Sequence, residues 1–223
     1  VPVLRLEQER YVIGGAANVA HNLIALGARA LPVGVVGDDD MGALLRHTMA
    51  IMGLPTEGLF VDPRRPTTQK TRVISQTQQM IRLDRESSRA IEGEVLERLL
   101  QFILAELPQC NALLFSDYEK GVLSSHVLEC VIAEARRLGV RTFVDPKGAS
   151  FAKYRGASFI KPNRSEAQRV AAGESLEGEE ALRGAARRWM DQLDLEGMLI
   201  TLGRDGMFAA HGRGEAFRSL HVE

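Results

Sequence analysis

Gly14-Gly15-Ala16-Ala17-Asn18 is the first stretch whose residue types and spacing suit chemistry. Glycine and alanine let a ligand approach the backbone closely. The stretch leads into Val19, Leu23 and Leu26, apolar positions at helical spacing. Free N–H groups at a helix start donate to hydroxyl or phosphate oxygens. Asn18 adds a donor and an acceptor suited to a polyol. An ordinary glycine turn into a packed helix would look the same. The second group is Lys161-Pro162-Asn163-Arg164-Ser165-Glu166. Asn163 with Glu166 three residues on reads as a capping box. The chemical alternative sets both near Mg²⁺, directly or through water, because magnesium takes oxygen ligands and keeps several waters when it bridges phosphates.

Three further groups sit where strands are expected to end. They are Ser116-Asp117-Tyr118-Glu119-Lys120-Gly121, Asp145-Pro146-Lys147-Gly148 and Thr201-Leu202-Gly203-Arg204-Asp205-Gly206. The last is either a hairpin turn through Asp205-Gly206 or an edge that a nucleotide approaches over Gly203. In open α/β sheets, ligands bind beyond the carboxyl ends of the strands. Asp117, Lys147, Lys161 and Gly203 would meet on that rim, and converging lysines favour an anionic ligand.

The elements that must position these groups alternate along the chain. Apolar runs at 31–36, 112–115, 140–144, 158–160 and 197–202 read as strands. Helical spacing fills 41–52, 95–107, 127–138, about 165–172 and 181–189. Asp38-Asp39-Asp40 caps the first of these more readily than it binds a metal. The expected fold is α/β: a mainly parallel sheet flanked by helices. Thr68–Glu86 differs, because Val73, Ile81 and Leu83 recur with period two around a turn at Ser75-Gln76-Thr77-Gln78. It reads as a β-hairpin with one apolar face, fit to cover a pocket.

Composition narrows the function. The 223 residues are 45% hydrophobic, enough for one large domain. Charges nearly cancel, 28 basic against 29 acidic, so neither nucleic acid nor an anionic membrane is indicated as a partner. Cys110 and Cys130 form no C-x-x-C pair, which favours a reducing, cytoplasmic setting. There is no G-x-G-x-x-G, no G-x-x-x-x-G-K-[ST] and no H-E-x-x-H.

In this order, the G-G-x-x-x-N-x-A turn, the β-hairpin, K-P-N-x-x-E and T-L-G resemble the ribokinase-like (PfkB) sugar kinases over nearly the whole chain. Within that family, four more segments resemble kinases acting on D-glycero-β-D-manno-heptose 7-phosphate. They are Thr68–Val73, Gln79–Asp84, Ser116–Gly121 and Asp145–Gly148. The resemblance implies a ribokinase-like fold over 1–223, with a small β-lid from about 1–13 and 62–86. It implies ATP and Mg²⁺ and phosphorylation of the anomeric hydroxyl. It places Gly14, Gly15, Asn18 and Asp117 against the sugar, and Arg72, Arg82 and Lys120 toward its phosphate. It places Lys147, Lys161, Asn163, Glu166, Thr201 and Gly203 at the nucleotide, with Asn163 and Glu166 nearest the metal. Pairing of two lids implies a homodimer. The family's catalytic aspartate belongs to a G-A-G-D motif that does not occur in these residues. No catalytic base is therefore assigned, and the chain is expected to lack parts of the domain at both ends. Another ribokinase-like sugar or nucleoside kinase, or a non-catalytic binder on this fold, are the competing expectations.

Overall fold

Gly53 and Gly139 stop two helices because each adopts a left-handed backbone, at φ +72° and +71°, that side chains avoid. The computed structural model describes residues 5–75 and 78–222, and the chain divides into two units at Leu83/Asp84.

The first unit holds α1 (Gly15–Ala25), β1 (Gly34–Val36), α2 (Asp40–Ile51), β2 (Leu59–Val61), β3 (Gln69–Ser75) and most of β4 (Gln78–Arg85). β1 and β2 pair in parallel. Ala20, Met49 and Leu54 form its core, with Ile13, Ala17, Ile24 and Leu45 packed around them. The inward face of α1 is thus Ala17, Ala20 and Ile24. Leu23 and Leu26, expected to face inward, are exposed, and Leu26 lies beyond the last helical residue. Asp39 caps α2, accepting from Gly42 N–H at 2.9 Å and from Thr67 N–H at 3.0 Å. The acidic run is a cap here, as its position before an apolar helix indicates. β3 and β4 form the expected two-stranded sheet. Gln76 and Thr77, at the centre of the expected turn, lie outside the described residues. Residues 5–13, expected to join the lid, form neither helix nor strand.

The second unit holds α3 (Glu94–Glu106), β5 (Ala112–Ser116), α4 (Ser125–Leu138), β6 (Arg141–Asp145), β7 (Phe159–Ile160), α5 (Arg164–Val170), α6 (Glu179–Leu193), β8 (Gly197–Thr201), β9 (Met207–His211) and β10 (Arg218–Val222). The six strands form one sheet in the order β10-β9-β8-β7-β6-β5. β5 to β8 run parallel, while β9 and β10 are antiparallel. The sheet is therefore mixed and mostly parallel, flanked by helices. The register puts Phe115, Val144, Ile160, Met198 and Ala210 in one buried row. The alternate residues Leu114, Phe143, Met207 and Leu220 stay partly exposed, as the two-residue period of a strand requires when one face is better covered. Phe159 stacks on Phe143 with ring centres 5.1 Å apart. A Cβ at Gly197 would lie 2.7 Å from the Phe159 ring, so this ring needs glycine beneath it.

Candidate functional site

Because β5 to β8 are parallel neighbours, their carboxyl ends share one edge of the second unit. Asp117 follows β5, Lys147 follows β6, Lys161 and Asn163 follow β7, and Gly203 follows β8. Backbone bonds lock these ends together. Asp117 N–H donates to the Asp145 carbonyl at 3.1 Å, and Lys161 N–H to that of Val144 at 2.8 Å. Thr201 N–H donates to the Pro162 carbonyl at 3.0 Å.

Asp117 is buried, and its carboxylate is fully engaged. Oδ1 accepts from Glu119 N–H at 2.7 Å. Oδ2 accepts from Lys153 Nζ at 2.6 Å and from the Tyr154 hydroxyl at 2.7 Å. The Tyr154 oxygen in turn accepts from Lys147 N–H at 3.0 Å. Burial raises the Tyr154 phenol far above its usual range, and the Asp117 carboxylate adds to the effect. The phenol therefore stays protonated and remains a donor. Glu119 sits at φ +54°, a left-handed conformation uncommon for a residue with a Cβ. Beside Asp117, the Ser116 Oγ is buried with no hydrogen-bond partner among the described residues.

At the other end of the rim, Asn163 and Glu166 form a complete capping box. Asn163 Oδ1 accepts from Glu166 N–H at 2.9 Å, and Glu166 Oε2 accepts from Asn163 N–H at 3.0 Å. The remaining oxygen, Oε1, receives Lys147 Nζ at 3.1 Å. Lys161 pairs with Asp145 at 2.8 Å. Gly203, at φ +68°, opens a short 3₁₀ turn through Asp205, with open space where a Cβ would stand. The loop is thus wider than the expected two-residue turn. Arg164 ties it to α5 through Asp205 at 2.6 Å.

The capping box and the metal reading bear on one another. Asn163 Oδ1 and both Glu166 oxygens already accept protein hydrogen bonds. Among the described residues, no group of three or more His, Cys, Asp and Glu could hold a metal ion. Such a donor set forms no protein cage for magnesium. It is compatible with an ion that would arrive on phosphates with its own waters, which Asn163 and Glu166 would meet only from outside.

Lys120, expected near a substrate phosphate, pairs with Glu86 at 2.6 Å. The other expected sugar-side residues belong to the first unit. Gly14 is the N-cap of α1 with no side-chain cap, and Gly15 opens the helix at φ +53°. Asn18 is exposed on its first turn. Arg72 lies on β3 and Arg82 on β4, both exposed. The rim of the second unit thus brings together Asp117, Lys147, Lys161, Asn163, Glu166, Thr201 and Gly203. A cavity of about 520 Å³ in the same unit is lined by Glu119, Ser125, Glu129, Lys147, Ser150 and Lys153, with small residues between them. Lys153 and Tyr154 escaped the sequence reading. Their only signal is their place a few residues after Asp145–Gly148, and a lone lysine or tyrosine in a loop has no periodicity to mark it.

Comparison with known proteins accords with this arrangement. The model of the pfkB family of carbohydrate kinases matches residues 1–219. The bifunctional protein HldE of Geotalea uraniireducens is 45% identical over 215 residues, covering 96% of this chain and 44% of the relative. That of Desulfatibacillum aliphaticivorans is 40% identical over 223 residues, 100% of this chain and 45% of the relative. The chain therefore spans less than half the length of these relatives. Among solved structures, ribokinase from Giardia lamblia superposes with a TM-score of 0.71 at 18% identity, over 92% of this chain and 64% of that one. The tetrameric inhibited form of phosphofructokinase-2 from Escherichia coli gives 0.69 at 17%, over 98% and 75%. At such identities these two show a shared ribokinase-like fold. With a family match running almost end to end and a fold to agree with it, this chain belongs to the pfkB family of carbohydrate kinases.

Proposed function

We propose that this chain is the kinase part of an enzyme that phosphorylates D-glycero-β-D-manno-heptose 7-phosphate at its anomeric hydroxyl. The phosphoryl donor is ATP with Mg²⁺, and the product is the 1,7-bisphosphate. The place of the reaction is the route to ADP-heptose and the lipopolysaccharide core, in the cytoplasm. The carrying observation is the parallel-strand rim, where a buried carboxylate at one end and a lysine-rich capping box at the other stand on one rigid edge. Phosphoryl transfer depends chiefly on positioning and charge stabilisation, and a rim of this kind supplies both.

In this reading, Asp117 and the α1 entry at Gly14, Gly15 and Asn18 hold the sugar, and Arg72, Arg82 and Lys120 attract its phosphate. Lys120 would exchange Glu86 for that phosphate. Lys147 and Lys161 face the nucleotide phosphates, and Thr201 and Gly203 the nucleoside. Magnesium, when bound with ATP, neutralises phosphate charge. Asn163 and Glu166 orient it through water. The exposed β3–β4 pair covers the sugar and joins a second copy, giving a homodimer.

A panel of sugars and sugar phosphates offered with Mg²⁺–ATP tests the reading on the complete polypeptide. Transfer to heptose 7-phosphate, with the product labile at the anomeric phosphate, is the expected result. Turnover of ribose, fructose or a nucleoside without the heptose would sink the substrate assignment. Binding without any turnover would make the protein a non-catalytic relative.

A further inference from the structure

We infer that Tyr154 is a positioning residue that keeps the acceptor end of the rim in register with the donor end, resting on the function proposed above. Tyr154 is fully buried and sits on a short 3₁₀ turn, Ala152–Tyr154. Its oxygen bonds both the side chain of Asp117, after β5, and the backbone of Lys147, after β6. From Lys147 the path continues through Nζ to Glu166, and from Glu166 to Asn163. A single phenol thereby connects the sugar-side carboxylate to the phosphate-side lysine and capping box. Each of these links is short and directional. Lys153 supports the same corner without bridging it: its ammonium reaches Asp117 Oδ2 and lies 5.1 Å from the centre of the Tyr154 ring.

The physical consequence concerns coupling rather than binding. Loss of the phenol oxygen leaves Asp117 two other donors and leaves the Lys147 side chain on Glu166, so both half-sites persist. What is lost is the side-chain tie between them, while the backbone bonds between the strand ends remain. In-line transfer is sensitive to small misplacement of acceptor against donor. A displaced sugar hydroxyl leaves the γ-phosphoryl group open to water, and ATP is then hydrolysed to ADP and inorganic phosphate.

The test compares wild type with Tyr154→Phe in the complete polypeptide. Sugar-phosphate formation and release of inorganic phosphate are measured in the same reactions, and folding is checked by circular dichroism and melting. The expected result is a fall of about tenfold in kcat for sugar transfer, the order of one well-placed hydrogen bond. KM for ATP should stay within about twofold, because the nucleotide contacts remain. The ratio of hydrolysis to transfer should rise. Unchanged rates would overturn the inference, as would equal falls in both, the mark of fewer folded molecules. Should Tyr154→Phe not fold, Tyr154→His decides, since no single atom of its ring both donates to Asp117 and accepts from Lys147. Its hydrolysis-to-transfer ratio should rise above wild type, and an unchanged ratio would show that register does not run through the phenol. Absence of sugar transfer by wild type would sink the proposed function and this role together. Wild-type transfer with an unaltered Tyr154→Phe would sink this role alone.

Discussion

Asn163 and Glu166 close a capping box, and under the proposed function the same atoms would also face a phosphate-bound metal through water. Substitution can separate the two roles. Asn163→Ala removes a cap worth about 1 kcal/mol and should lower stability by that amount in urea unfolding. Asn163→Asp retains a capping oxygen, so its stability should stay within about 0.5 kcal/mol of wild type. It also sets a carboxylate toward the proposed phosphates, so KM for ATP should rise several-fold. An unchanged KM would leave Asn163 as a cap alone. Glu119 offers a second residue-scale test. Its left-handed backbone costs a residue with a Cβ about 1 kcal/mol. Glu119→Gly should therefore raise the urea midpoint without altering the slope.

Where elements meet, glycine and charge fix the joints. A Cβ on Gly121 would lie 1.8 Å from the Arg89 carbonyl oxygen, at φ +78°, and backbone of this kind does not swing aside. Gly121 also accepts Ile91 N–H at 3.0 Å through its own carbonyl. Gly121→Ala is expected to destabilise by more than about 2 kcal/mol, seen as a drop in melting temperature. Asp194, at the end of α6, binds Arg136 of α4 and Arg213 beyond β9. Their guanidinium hydrogen bonds hold its carboxyl below the usual aspartate value. A lowered folded value means that the contribution is complete above the unfolded pKa of about 3.9 and is lost as pH falls through the folded value. Asp194→Asn should therefore be less stable than wild type at pH 7, and the gap should narrow in acid-dependent melts as pH falls from the unfolded value through the lowered folded one.

At the scale of the whole molecule, exposed apolar surface is the main open matter. Ile74, Met80, Ile81 and Leu83 on the β3–β4 pair are 47–60% exposed. A two-stranded sheet is marginal in water by itself, which supports the proposed pairing with a second copy. Light scattering at micromolar concentration should give a dimer mass for wild type and a monomer for Ile81→Asp with Leu83→Asp. A monomeric wild type would remove the proposal. Much of the larger design was legible in the sequence. Strands and helices with strong periodicity emerged near their expected places, and Gly53, Gly139, Asp39 and Asn163 announced their turns and caps through local backbone physics alone. β2 escaped, being three residues in a stretch with no alternation, and α1 turned a different face inward because alanines, not leucines, pack against Met49 and Leu54. The same limit governs the site. Residue types and strand-end positions are local, so the sequence by itself determined the family, the rim and which residues stand on it. Only the tertiary structure decided that Asp117 is saturated by Lys153 and Tyr154, and that Lys147 reaches Glu166. Those bonds join residues 7 to 37 positions apart, and no local propensity encodes a distance that arises when parallel strands come to lie side by side.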